Sequence, residues 1–181
     1  MSAKSTTAFP NSTADAFHVE GDFSIVPSTY EHAQHLQHYL RQEDIRECLI
    51  HGSTPWRALH LPLKVSGAST WTLLHKGTAI CMGGVIPHEE NDVSYGTIWM
   101  LGSYELNRNR SVLLKLALPM LEHILEWHDF VENVVPVDHH RTLRWLERLG
   151  FMFAEETTVV NGYECVRFVR CNPAIEMTFD M

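Results

Sequence analysis

The stretch from Thr97 to Val137 constrains the fold more than any other part of the chain. It reads as a short apolar strand at Thr97–Leu101, a helix at Val112–Glu126 and a buried strand at Val131–Val137. Leu113, Leu116, Ala117, Met120, Leu121 and Ile124 recur at helical spacing and give the middle piece one apolar face. Pro119 lies inside that helix and is expected to kink it. Two strands joined through such a helix make a right-handed parallel crossover. On both sides of it the chain reads as antiparallel hairpins. Thr70–His75 and Thr78–Ile86 flank Lys76-Gly77, and Val159-Val160-Asn161-Gly162-Tyr163 carries an Asn-Gly turn. The expectation is an α+β, sandwich-like domain: a mixed, mostly antiparallel sheet flanked by helices, with one central parallel strand–helix–strand crossover.

Local signals supply the remaining elements. After Val137, Asp138 is a good N-cap, since its carboxylate accepts a free first-turn N–H. Leu143, Leu146 and Leu149 then form an apolar face, and Gly150 suits a left-handed helix stop with Phe151 packing back. The predicted helix is Asp138–Leu149. Upstream, Phe23–Val26 reads as a first strand closed by Pro27, and Ser28 or Thr29 caps a helix running to about Leu40. A second helix, Gln42–Ile50, stops at His51-Gly52, and Ser53–Leu63 is an irregular or helical piece. His88–Asp92 reads as a charged loop, and Asn107–Arg110 as a loop or helix start. Residues 1–21 are rich in Ser, Thr and Ala and cannot bury a core of their own. They are expected to be a polar interaction arm ahead of a single domain over 22–181.

With 181 residues, 45% hydrophobic and 20% charged, the chain suits one soluble domain with a real core. A formal charge of −8 disfavours nucleic-acid binding. No apolar run is long enough for a membrane span, and the polar N-terminus lacks a signal-peptide pattern, so an intracellular protein is expected. Cys48, Cys81, Cys165 and Cys171 show no metal or redox spacing and read as reduced thiols. No P-loop, dinucleotide fingerprint or GxSxG motif is present.

The order of elements over residues 23–170, with a short helix ending in Leu149-Gly150-Phe151, resembles the GNAT N-acetyltransferase fold. The resemblance implies that the two parallel strands splay and admit the pantetheine arm of acetyl-CoA. It places Met100 and Leu101 on the strand edge and Arg108, Arg110 and Ser111 at the helix N-terminus that meets the pyrophosphate. The loop there, Leu106-Asn107-Arg108-Asn109-Arg110-Ser111-Val112, lacks the family's glycines, near whose places Arg110 and Val112 fall. Arg108 and Arg110 suit phosphate pairing or a solvated loop. The family's Asn falls on His139 and its general-acid Tyr on Leu146. Tyr163, Tyr104 or His140 are substitute proton donors that nothing in the sequence places there, and Glu89 or Glu105 are candidate bases better read as surface carboxylates. No catalytic residue is assigned.

Four blocks carry a closer resemblance: Ile25–Tyr30, His51–Leu59, Gly96–Ser103 and Trp145–Phe151. They look like GNAT-like internal virion proteins of short-tailed phages. This resemblance implies a virion-associated or virion-assembly protein, found in the particle and the host cytoplasm. It would act through contacts with other virion or assembly proteins, with an oligomer possible, and with neither nucleic acid nor membrane as partner. The acetyl-CoA site would be degenerate, with no cofactor expected. The alternative is an active acetyl-CoA-dependent N-acetyltransferase, and a coenzyme A-binding module without chemistry is a third reading.

Other constellations have plain readings beside functional ones. His32, His35 and His38 suit a polar helix face or a two-histidine metal site, and no metal is expected. Arg141, Arg144 and Arg148 line one side of their helix and face either an anion or Glu147, Glu155 and Glu156. Trp99, in the central strand, is the tryptophan best placed for a site.

Overall fold

The structure, a computed structural model, describes residues 18–65 and 68–175. Residues 1–17 of the polar arm lie outside them. The strands are β1 (His18–Glu20), β2 (Phe23–Pro27), β3 (Ser69–His75), β4 (Thr78–Glu90), β5 (Val93–Gly102), β6 (Phe130–Pro136), β7 (Met152–Val160) and β8 (Tyr163–Cys171). The helices are α1 (Tyr30–Leu36), α2 (Gln42–Ile50), α3 (Pro55–His60), α4 (Arg110–Leu125) and α5 (His140–Arg148). One sheet runs β1-β2-β3-β4-β5-β6-β8-β7. Every pairing is antiparallel except β5 with β6.

The two faces of the sheet are buried by different helices. Val85 of β4 and Ile98 of β5 pack with Leu121, Ile124 and Leu125 of α4 and with Leu146 and Leu149 of α5. On the opposite face, Met82 and Leu101 pack under Ala33 and Leu36 of α1, Cys48 of α2 and Leu59 of α3. The alternation of β4 and β5 assigns neighbouring residues to the two layers. As the spacing predicts, Leu146 of α5 and Leu149 at its C-cap are buried, with Leu143 half-buried beside them. Gly150 ends that helix at φ +79°, with Phe151 N–H donating to Leu146 O at 3.1 Å and Gly150 N–H to Glu147 O at 3.0 Å. The Asn161-Gly162 turn has both residues at positive φ, as a tight hairpin requires.

Several sequence readings are corrected. His88–Asp92 is not a loop, because β4 continues to Glu90 and turns at Asn91-Asp92 into β5. Cross-strand pairs sustain this extension: His88 stacks on Tyr95 at 4.9 Å and its Nε2 lies 2.9 Å from Thr97 Oγ1. Helix α1 ends at Leu36 rather than near Leu40, since Leu40 goes extended to bridge Ser103. Asp138 does not cap α5. The helix starts at His140 behind an uncapped His139. Arg46 claims the Asp138 carboxylate through two bonds, of 3.2 and 2.8 Å. The predicted cap at Thr29 is present and is completed by His32, whose Nδ1 accepts from Thr29 N–H at 3.2 Å.

Candidate active site

The site begins where the parallel pair parts. β5 and β6 pair only at Tyr95–Phe130, Gly96–Val131 and Thr97–Glu132. At the next step Asn133 Nδ2 donates to Ile98 O at 2.7 Å, and Asn133 Oδ1 accepts from Val134 N–H at 2.7 Å. This side chain closes the ladder, and both strands then run on, unpaired with each other, to Gly102 and Pro136. Backbone groups of alternate residues face the same strand edge, so Met100, two beyond Ile98, turns its N–H and C=O into the gap. The gap opens into a crevice of about 1120 Å³ that reaches under α4 and along α5.

Its wall on α5 is basic. Arg141, Arg144 and Arg148 line it, and among the described residues none of them forms an ion pair, with Glu147, Glu155 and Glu156 included. Ser111, in the first turn of α4, lines the same space. The N-cap residue Asn109 gives α4 no side-chain cap and instead donates from Nδ2 to Glu105 O at 3.1 Å. Asn109 thus leaves the first turn of α4 without an N-cap side chain, at an end where the helix dipole favours negative charge.

The opposite end is acidic and is built on α2. Glu43, Asp44 and Glu47 share one helix face by their spacing, and all three line the crevice. Asp44 is buried and its oxygens are occupied. It accepts from Arg41 Nε at 2.9 Å, Arg41 Nη2 at 2.8 Å and Gly102 N–H at 2.7 Å. Burial pushes its carboxyl up and Arg41 pulls it back. Asp44 thus fastens α2 to the end of β5. One turn on, the Glu47 carboxylate has no hydrogen bond among the described residues, and its Oε2 lies 3.7 Å from His139 Nδ1. Its exposure opens into the crevice rather than onto a convex surface. Burial, aided by Asp44, raises the Glu47 carboxyl to about 7. Burial, then the nearby Arg46 charge, lowers His139.

Among the described residues, three buried polar atoms of those lining the crevice have no hydrogen-bond partner: Trp99 Nε1, His139 Nδ1 and Trp145 Nε1. Cys81 also lines the crevice, but burial raises its thiol to about 12, which removes it as a thiolate nucleophile near neutral pH.

The sequence candidates separate in space. Met100, Ser111, Trp99, His139, His140 and Leu146 line the crevice. Leu101 faces the other helix layer, and Arg108 is exposed beyond the crevice lining. Nothing is described of the Arg110 side chain. Tyr104 is engaged by Gln42 N–H at 3.2 Å, and Tyr163 lies beneath Arg46. Glu105 is bound to His75, and Glu89 is exposed on the β4–β5 extension. None of these four lines the crevice. Glu47 and Asn133 do, and sequence reasoning missed both. The signal for the first was three carboxylates on one face of the predicted Gln42–Ile50 helix. The second carried none, because a polar residue inside a buried strand gains meaning only when its neighbour strand leaves.

A mixed sheet split after three parallel pairs, with helices on both faces, is the GNAT fold, and comparison with solved structures agrees. The aminoglycoside acetyltransferase AAC(6')-Ib in complex with ribostamycin and coenzyme A superposes with a TM-score of 0.65 at 15% identity, covering 89% of this chain and 100% of that one. The ribosomal-protein-S5-alanine acetyltransferase from Vibrio fischeri gives 0.64 at 12% identity, over 88% and 98%. A GNAT-family acetyltransferase from Bacillus anthracis gives 0.61 at 11% identity, over 84% and 96%. No protein-family profile and no curated protein sequence matches the chain.

Proposed function

We propose that this protein is an acyl-CoA-dependent acyltransferase that transfers an acetyl group to an amine. The observation that carries the reading is the crevice at the β5–β6 split, with unpartnered buried donors along it and opposite charge at its two ends. An acyl-CoA fits these features. Its amide-bearing pantetheine arm matches the free backbone of Met100 and the indole N–H groups of Trp99 and Trp145. Its phosphates match the first turn of α4, which Asn109 does not cap, and Arg141, Arg144 and Arg148, which form no ion pair among the described residues. When bound, it would supply an activated acetyl thioester, and the protein's part is to hold it, exclude water and manage the proton of the acceptor. The solved neighbours support the reading as carriers of the same fold, one of them bound to coenzyme A.

The missing glycines at Arg110 and Val112 favour a second reading, in which this fold serves virion assembly through contacts with other virion or assembly proteins. The four phage-like sequence blocks are its other support. Calorimetric titration with acetyl-CoA separates the two. Binding with release of coenzyme A in the presence of an amine supports the enzyme, and absence of binding supports the assembly protein.

A further inference from the structure

Resting on the acyltransferase reading, we propose that Glu47 is the proton acceptor for an alkylammonium group that enters between α2 and the β6–α5 turn, with His139 as its positioning partner. Four carboxylates line that end of the crevice, and geometry distinguishes them. Asp44 is filled by Arg41 and Gly102, and Asp138 by Arg46. Glu43 is exposed. Glu47 is left as the sheltered carboxylate with free oxygens. His139 supplies the second observation. Its side chain is 8% exposed, it lines the same space, and its Nδ1 has no hydrogen-bond partner among the described residues. A buried ring nitrogen 3.7 Å from a carboxylate is poised to bond to whatever enters beside them.

The surroundings set the charge balance. Arg41, Glu43 and Asp44 face Glu47 from α2, and Asp138 and His139 from the β6–α5 turn, with Arg46 behind Asp138. The thiols nearby are Cys48 on α2, Cys81 on β4 and Cys165 on β8, all raised and hence neutral near pH 7. Arg41 is committed to Asp44 and Arg46 to Asp138, so the acidic end carries net negative charge and attracts an ammonium ion. A carboxyl near 7 beside a neutral imidazole can take a proton from such an ion and release it again.

In the step assigned here, Glu47 takes one proton from the ammonium group. The freed nitrogen lone pair forms the C–N bond at the thioester carbonyl as the C–S bond breaks. The nitrogen's second proton passes through solvent to the departing sulfur, and Glu47 returns its own proton to bulk. One amide, one thiol and one free proton result.

The test uses the full chain, acetyl-CoA and n-butylamine, with Glu47→Gln and Glu47→Asp as variants. Coenzyme A release is followed across pH, acetyl-CoA affinity is measured by calorimetry, and the His139 imidazole is titrated by NMR without ligand. Wild type is expected to gain rate through an inflection near 7. Glu47→Gln is expected to lose about 10²- to 10⁴-fold in kcat/KM together with that inflection, and Glu47→Asp to recover part of the rate. Acetyl-CoA affinity is expected to stay within twofold. Coupled groups titrate together, so His139 should show two inflections in wild type and one in Glu47→Gln. An unchanged pH–rate profile in Glu47→Gln, a single His139 inflection in both proteins, or no release from wild type with acetyl-CoA bound overturns the assignment. Failure of wild type to bind acetyl-CoA overturns instead the acyltransferase reading on which it rests.

Discussion

Replacing Glu47 by Gln should stabilise the protein at alkaline pH and do little in mild acid. The folded carboxyl sits at about 7, against an ordinary value of 4.5. The unfolded chain therefore releases this proton first. Between the two values the folded state holds more protons, so stability falls as pH rises through that window and levels off above about 7. The whole penalty is (7 − 4.5) × 1.36, or about 3.4 kcal/mol, and roughly 2.5 kcal/mol of it develops between pH 5 and pH 8. Gln has the same shape and never ionises, so the variant escapes the penalty. Urea unfolding of both proteins at pH 5 and pH 8 should show the variant gaining about 2 to 3 kcal/mol relative to wild type on going to the higher pH. An equal difference at the two pH values would mean that Glu47 is well solvated, and the argument for a sheltered proton acceptor would fail with it.

Asp44→Ala should cost about 3–5 kcal/mol, because Arg41 would be left charged, largely buried and without its carboxylate. Thermal unfolding should show this as a fall of roughly 6–20 °C for a chain of this size, and a loss below about 1 kcal/mol would show the clamp on α2 to be solvated. Leu146→Tyr introduces a hydroxyl where the resemblance to the GNAT fold would place a general acid. It should nevertheless destabilise by about 1–3 kcal/mol through overpacking of a buried position. No gain in coenzyme A release should accompany it, and a large gain in a release assay would show that the missing hydroxyl was the limiting part.

What could be read from the sequence was local or periodic. The crossover, the α5 face, the stop at Gly150 and the Asn161-Gly162 turn each depend on residues a few positions apart. What could not be read depends on distant partners. Asp138 is a sound N-cap by its neighbours, yet Arg46 takes its carboxylate from 92 positions away. The charged residues after Ile86 suggest a loop, yet pairing with Val93–Tyr95 holds them as strand. Glu47 and His139 belong to different segments, brought together where α2 is fastened to Gly102 through Asp44 and to Asp138 through Arg46. The basic wall of the crevice was visible as Arg141, Arg144 and Arg148, but whether they pair with Glu147, Glu155 and Glu156 depends on side-chain placement that spacing does not give; among the described residues they form no such pair.

Whether the crevice takes an acyl-CoA decides between an acyltransferase and an assembly protein. Isothermal titration of the full chain with acetyl-CoA should show one-to-one binding at micromolar affinity, and Arg144→Glu or Arg148→Glu should weaken it while leaving the fold intact. No detectable heat at millimolar acetyl-CoA would contradict the account.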